Sequence, residues 1–363
     1  MKLLYITNGI HGSGGLERVL AVKASYLAEK FNYEVNILTL NSGGEELFYN
    51  FSPKIVLYDI KVSGTPISYF SCYRKGIKEI LKKIKPDVIS VCDDGLKGML
   101  FPILFGKKIP VIYERHVSKQ VENKSNNTFL KKLELNFKYW IMNYGARKFD
   151  KFIVLTNGNL KEWNLTNILV IPNPLPFTTD EKSSLMNKKI LSVGKQSFQK
   201  GYDRLLKSWE IVYKRYPNWK LEIYGNLEPR LGLENMAKEL KVSTSVLFCP
   251  PVKDIQSKYK EASIYVMSSR FEGFGMVLIE AMSFGVPCVS FNCPHGPADI
   301  IKNGKDGFLI KNGSIKEFAE SVIKLIDNKE LRTKMGKAAA DNVQRFSPKT
   351  ILKEWDELFK SLT

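Results

Sequence analysis

The sequence predicts an α/β protein built as two tandem, doubly wound domains, each with a parallel sheet. Three observations carry this. Short apolar runs alternate with amphipathic segments of helix length from end to end, the βαβα order of a parallel sheet covered on both faces. A proline-rich crossing, Ile171 to Phe177, interrupts the alternation, and a strand, glycine loop and helix then start again. The 363 residues also exceed what one hydrophobic core ordinarily organises. Domains are therefore expected at 1–172 and 173–346, with a C-terminal helix at 347–363 packing back on the first. Two such domains would leave a cleft between them.

Lys2 to Thr7 reads as the first strand, followed by a glycine-rich turn, Asn8 to Gly15. In Leu16 to Phe31, Val19, Leu20, Val22, Ala24, Leu27 and Ala28 recur at helical spacing. Strands follow at Glu34 to Leu40 and Lys54 to Tyr58. A helix over Tyr73 to Ile84 leads to strand Val88 to Cys92, and a helix over Gly95 to Phe105 leads to strand Ile109 to Tyr113. Asp93-Asp94 fits the cap of that second helix. His116 stands past the carboxyl end of the strand, the edge where parallel sheets gather ligands. Position alone leaves it either a structural residue or a site residue. A long helix over Ser125 to Lys148 and strand Phe152 to Leu155 end this half. Across Asn123 to Lys151, Lys124, Lys131, Lys132, Lys138, Arg147, Lys148 and Lys151 are interleaved with Phe129, Phe137, Tyr139, Trp140 and Tyr144. Such a composition suits a helix lying on a membrane surface. Leu130, Leu133, Phe137, Trp140, Ile141 and Tyr144 also suit a stripe buried in the core.

Beyond the polar run Thr178 to Lys189, Ile190 to Val193 is a strand, Gly194 to Gly201 a loop holding Lys195 and Lys200, and Tyr202 to Tyr216 a helix. Strands Leu221 to Tyr224 and Val246 to Cys249 alternate with helices Leu231 to Leu240 and Asp254 to Ala262. Strand Ser263 to Met267 then opens onto Ser268 to Gly285. That stretch holds a turn, Glu272-Gly273-Phe274-Gly275, a helix from Met276 to Phe284, and a glycine placed to stop it. Strand, glycine loop and helix N-terminus make an anion site, because glycines admit close approach and first-turn amides point at the ligand. Glu272 and Glu280 flank it, so a ligand carrying both phosphates and hydroxyls is expected. Strand Cys288 to Phe291, loop Asn292 to Pro297, helix Ala298 to Ile301 and strand Gly307 to Ile310 follow. Helices Ser314 to Asp327, Lys329 to Phe346 and Pro348 to Leu362 complete the chain.

The net charge of +18 calls for an anionic partner. Phosphate-bearing substrates and an anionic membrane surface both answer it. Nucleic acid is not expected, because the chain has no zinc-finger spacing and no RNA-binding aromatic signature. Five cysteines without a CxxC pair and only three histidines argue against a disulfide framework or a zinc site. No apolar run approaches the roughly 20 residues of a membrane span, and Met1 to Gly15 lacks the pattern of a signal peptide. A cytoplasmic protein is expected.

The frame Glu272-Gly273-Phe274-Gly275-x4-Glu280, continued by Ala281-Met282-Ser283-Phe284-Gly285-Val286-Pro287-Cys288-Val289, resembles the signature of the retaining glycosyltransferases of family 4. These enzymes have the GT-B fold, two Rossmann-like domains facing across a cleft. The resemblance covers essentially the whole chain. Gly14-Gly15-Leu16-Glu17-Arg18-Val19 is similar to the family's GG-x-E-R-V opening, and Lys195 with Lys200 to its basic pair. Lys195 stands where arginine is common, so a point charge replaces a bidentate fork.

The resemblance implies a nucleotide-sugar donor on the second domain. Glu280 would take the ribose hydroxyls and Glu272 the sugar hydroxyls. Gly273, Phe274, Gly275, Met276 and Val277 would lie along the sugar and distal phosphate. Lys195 and Lys200 would neutralise the leaving diphosphate in place of a metal, and Gly14 and Gly15 would close on it. His116 would orient the acceptor side. The catalytic set is thus Glu272, His116, Lys200 and Lys195, with no cofactor or metal. The expected activity moves a sugar from a UDP-sugar, with retention, to a lipid-linked glycan in capsule, O-antigen or exopolysaccharide assembly, at the inner membrane face. Rival readings are a nucleotide-sugar 2-epimerase of the same fold and a non-catalytic partner subunit of a transferase.

Overall fold

The computed structural model describes residues 1–106, 108–119 and 129–363. The chain divides into two compact units. Unit 1 comprises Met1–Pro176 with Pro348–Thr363, and unit 2 comprises Phe177–Ser347. Each is an open, wholly parallel sheet among the described residues.

In unit 1 the strands are β1 (Lys2–Ile6), β2 (Glu34–Leu40), β3 (Val56–Ile60), β4 (Val88–Val91), β5 (Val111–Glu114), β6 (Lys151–Val154) and β7 (Ile168–Val170), in the order β3-β2-β1-β4-β5-β6-β7. The order reverses between β1 and β4, so the loops after these two strands diverge and leave a crevice at their carboxyl ends. Helix α1 (Gly15–Lys30) packs with the C-terminal helix α14 (Pro348–Leu362). A separate core layer joins the sheet to α2 (Pro66–Ile84), α3 (Leu96–Met99), α4 (Phe101–Phe105) and α5 (Phe129–Ala146), through residues such as Tyr73, Ile77, Met99, Phe101, Met142 and Ala146.

Several elements differ from the sequence expectation, each for a local reason. Helix α2 begins at Pro66 rather than Tyr73, because the Thr65 hydroxyl accepts a bond from the Ser68 amide and proline suits the first helical position. The helix expected over Gly95 to Phe105 is interrupted at Leu100, where Pro102 withholds an amide. Strand β3 starts two residues late, since Ile55 closes a turn on the Ser52 carbonyl. Strand β7 and the short helix α6 (Asn157–Leu160) had no counterpart in the sequence reading. The start expected for α5, residues 125–128, and Lys124 lie outside the described residues. The stripe on α5 is not core. Leu130, Leu133, Phe137, Trp140 and Tyr144 are exposed and Ile141 is half-buried; among the described residues of this helix only Met142, Gly145 and Ala146 are buried.

Unit 2 carries β8 (Lys189–Val193), β9 (Lys220–Tyr224), β10 (Val246–Cys249), β11 (Ile264–Met267), β12 (Cys288–Asn292) and β13 (Gly307–Lys311), ordered β10-β9-β8-β11-β12-β13. Its reversal lies between β8 and β11. Its helices are α7 (Tyr202–Arg215), α8 (Leu233–Glu239), α9 (Ile255–Glu261), α10 (Met276–Ser283), α11 (Pro297–Ile300), α12 (Ile315–Asp327) and α13 (Lys329–Asn342). Trp209, Leu206 and Val212 of α7 pack with Phe318 and Val322 of α12 over the sheet.

Unit 1 is tied to its C-terminal helix by a buried charge. The Lys23 ammonium of α1 bonds to Glu114 at the end of β5 and lies 4.0 Å over the Trp355 ring of α14. Glu114 also accepts from Ser90 at 2.5 Å. Burial pushes the Glu114 carboxyl up, but Lys23 and then His116 outweigh it and bring it from an ordinary 4.5 down to about 2. The folded value lies below the unfolded one, so this contribution to stability is complete above about pH 4.5 and is lost as pH falls towards 2. Amide hydrogen exchange of β1, β4 and β5 should therefore lose protection across that window. Glu114→Gln should abolish that pH dependence and destabilise unit 1 by ~3–5 kcal/mol, since it leaves Lys23 buried and unpaired. Unchanged exchange in Glu114→Gln would refute the assignment.

Candidate active site

The reversal in unit 2 brings together the loop after β8, Gly194 to Gly201, and the loop after β11, Ser268 to Gly275. Lys200 from the first loop and Glu272 from the second meet at 2.8 Å, from Nζ to Oε1. Ser269 Oγ donates to the same oxygen at 2.6 Å. The Glu272 backbone is fixed as well, its amide donating to the Pro294 carbonyl at 2.9 Å. A carboxylate gripped this way through Oε1 keeps its rotamer while presenting its other oxygen.

Two glycines set how closely the loop after β11 approaches its neighbours, Gly201 in the loop after β8 and Gly296 in the loop after β12. Gly201 has φ +64°, and a β-carbon there would lie 2.3 Å from the Ser268 carbonyl oxygen. Gly296 has φ +100°, and a β-carbon there would lie 1.8 Å from the Phe274 carbonyl oxygen. Only a residue without a side chain fits either place. Arg270 reinforces the first contact with a bidentate pair to Asp203, at 2.9 and 2.7 Å, while its guanidinium stacks 4.0 Å over Phe198. Ser269, Arg270, Asp203 and Pro294 are not among the residues expected from sequence. The signal for the first two was their place beside Glu272; that for Asp203 and Pro294 was only three-dimensional.

Of the other expected donor residues, Gly275 takes φ +98° and caps α10. Met276 and Val277 form its first turn, half-buried, with amides that have no intrahelical acceptor. Gly273 precedes them in the loop. Phe274 is buried and packs edge-on against Phe346, centroids 5.5 Å apart. Glu280 is fully buried, and the Tyr259 hydroxyl donates to its Oε2 at 2.7 Å. Lys195 is exposed, and no ion pair holds its side chain among the described residues. Unit 2 thus gathers Lys200, Glu272 and the start of α10, and leaves Lys195 at the rim.

In unit 1, Gly14 caps α1 and Gly15 opens it. A methyl group on Gly12 or Gly14 would meet the Glu17 carboxylate at 2.7 or 2.5 Å. The turn expected to receive a diphosphate therefore already carries a carboxylate. A cavity of about 350 Å³ opens beside it, lined by Asn8, His11, Glu17, Asn41, Glu45 and Asp94 among others, three of them acids and none of its lining lysine or arginine. Asp93 caps the turn into α3 by accepting from the Gly95 amide at 2.8 Å. His116 is half-buried, its Nε2 3.3 Å from Glu114 Oε2. Cys92, Glu114 and His116 place donor atoms within 4.8 Å of one another. The Lys23 ammonium bonded to Glu114 opposes a cation there.

Comparison with known proteins identifies the family. The model for glycosyl transferases group 1 matches residues 178–342, and that for glycosyl transferase 4-like proteins matches residues 16–156. A relative described as an uncharacterized glycosyltransferase of Haemophilus influenzae is 33% identical, over 98% of both chains. The amylovoran biosynthesis glycosyltransferase AmsD of Erwinia amylovora is 31% identical, over 98% of this chain and 99% of that one. Among solved structures, S. aureus TarM in a complex containing UDP superposes with a TM-score of 0.80 at 17% identity, covering 99% of each chain. The chain belongs to the glycosyltransferases and has their GT-B fold.

The loop contact yields a direct test. Gly201→Ala forces alanine into the left-handed region, costing ~1–2 kcal/mol, and adds the clash with Ser268. Thermal unfolding of unit 2, followed by Trp209 and Trp219 fluorescence, should shift down accordingly. Gly15→Ala, whose methyl meets nothing within 4 Å, should leave stability unchanged. Equal behaviour of the two variants would contradict the close approach.

Proposed function

We propose that this glycosyltransferase moves a sugar, with retention of configuration, from a UDP-sugar to a lipid-linked glycan in surface polysaccharide assembly. The observation that carries the reading is the Lys200–Glu272 pair set beside the N-terminus of α10. An ammonium and first-turn amides around one point suit a diphosphate, and a carboxylate with one oxygen already held suits a sugar hydroxyl. The assignment to surface polysaccharide draws on relatives such as the amylovoran enzyme.

In this proposal Lys200, joined by the exposed Lys195, stabilises the negative charge that grows on the diphosphate as the C1–O bond breaks. Preorganised charge of this kind acts in the transition state, where it lowers the barrier most. Glu280, oriented by Tyr259, takes the ribose hydroxyls. Glu272 holds the transferring sugar, and the new C1–O bond forms to the acceptor hydroxyl, whose proton passes to the departing phosphate oxygen. No metal enters this scheme. His116 orients the acceptor in unit 1, where the carboxylate-lined cavity suits a polyhydroxyl end group, since carboxylates accept bonds from hydroxyls. The chain acts at the inner face of the membrane as a peripheral protein; among the described residues no helix is long and apolar enough to cross one.

A screen of nucleotide sugars for donor hydrolysis, followed by transfer to a lipid-linked acceptor, tests the reading. Lys200→Ala and Glu272→Ala should each reduce turnover of the preferred donor by about 10²–10³-fold. EDTA should have no effect, and NMR should show the donor's anomeric configuration in the product. Wild-type rates in both variants would overturn the site, and an inverted product would overturn retention.

A further inference from the structure

Helix α5 presents an apolar stripe that nothing covers among the described residues of unit 1. Leu130, Leu133, Phe137, Trp140 and Tyr144 follow one another at three- and four-residue steps, the spacing of a single helical face. Leu130 is 75% exposed, and Phe137 and Trp140 are each 62% exposed. The three rings form one stack, Phe137 on Trp140 and Trp140 on Tyr144, with centroids 6.0 Å apart in both pairs and interplanar angles of 15° and 13°. The opposite face, with Met142, Gly145 and Ala146, is the one that packs inward. A methyl group on Gly145 would lie 2.4 Å from the Met99 carbonyl oxygen, so the helix is held tightly against α3 and cannot roll to bury its aromatics.

Exposed cations accompany the stripe at both ends, Lys131 and Lys132 near its start and Arg147 and Lys148 near its finish. A second copy of the chain docked on this face, in either direction, would bring these cations together. An anionic bilayer surface instead satisfies both halves of the pattern, taking the rings at the headgroup level and the ammonium groups at the phosphates. The neighbouring helices expose apolar side chains too. α4 packs on α5 and exposes Ile103, and α2, whose Tyr73 meets Phe105 of α4 with centroids 6.0 Å apart, exposes Ile67 and Phe70.

We propose that the outer face of α5 is the seat by which this protein docks on an anionic membrane, with the Phe137–Trp140–Tyr144 stack entering the headgroup region. The proposal rests on the lipid-linked acceptor reading for its purpose, but on the exposed face of α5 for its geometry.

Trp140 makes the test specific. The other four tryptophans, Trp163, Trp209, Trp219 and Trp355, are all buried, so only Trp140 is placed to be quenched by brominated lipid. The full-length protein is mixed with vesicles of phosphatidylcholine alone, or of phosphatidylcholine with phosphatidylglycerol, each with and without brominated acyl chains. Binding is expected to the anionic vesicles, with fluorescence quenched by the brominated lipid. Trp140→Phe should bind but lose the quenching. The double variant Leu133→Asn, Phe137→Asn should bind at least about tenfold more weakly, while donor hydrolysis without membranes stays at the wild-type rate. Equal binding to neutral and anionic vesicles, or quenching retained in Trp140→Phe, would overturn the proposal. So would a concentration-dependent increase in mass that the double variant abolishes, because that result assigns the stripe to a second copy. Vesicle binding without transfer to any lipid-linked acceptor would uphold the docking face and count against the acceptor reading instead.

Discussion

The close approach of three loop backbones in unit 2 is the constraint on which its site depends. Gly201 rests against the Ser268 carbonyl and Gly296 against the Phe274 carbonyl. These contacts bring Lys200 within 2.8 Å of Glu272. A parallel sheet whose strand order reverses always opens a crevice there, but a crevice alone does not align an ammonium, a carboxylate and a helix start. The Arg270–Asp203 fork and the Glu272–Pro294 backbone bond then hold that alignment from both sides. Because each restraint acts on backbone or on a rotamer, the site is organised before any ligand arrives, which is what electrostatic stabilisation of a transition state requires.

Unit 1 is organised by a different principle. Its central feature is a buried cation, Lys23, satisfied by Glu114 and capped by the Trp355 ring. Desolvating two charges is expensive, so this arrangement adds little net stability over apolar packing and gains its force from specificity. Only one placement of α14 sets Trp355 over Lys23 and lets Tyr33 bond Asp356 at 2.5 Å. The last helix of the chain is thereby matched to the first unit rather than to the second, with which it is contiguous in sequence.

The sequence showed these features unevenly. Strand and helix order was readable in both halves, because apolar runs bounded by glycine and proline have few other interpretations. The Glu272 and Glu280 frame was readable because the glycines between them restrict what the backbone does there. Lys200 as the partner of Glu272 was expected only as a donor of charge to a ligand; their mutual contact spans 72 residues and depends on strand order. Lys23 and Glu114 were invisible for the same reason. The α5 aromatics were ambiguous in principle, since helical periodicity records that a face is apolar and not what covers it. β7, three residues long at a sheet edge, is too short to carry a pattern.

Charge links the two proposals. A net +18 spread uniformly would draw any anion to any face, and selectivity would then have to come from contact alone. Exposed basic residues stand on α5 and also on α2, where Arg74, Lys75, Lys78, Lys82 and Lys83 all face outward. The cavity of unit 1 is lined by carboxylates. Fields from exposed charges are screened beyond about 8 Å at physiological salt, so the helices act on a surface they nearly touch. On the proposed function, the positive faces fix where the enzyme works and the carboxylates select hydroxyls over phosphates in what it accepts. One electrostatic excess then serves location, while its local reversal serves recognition.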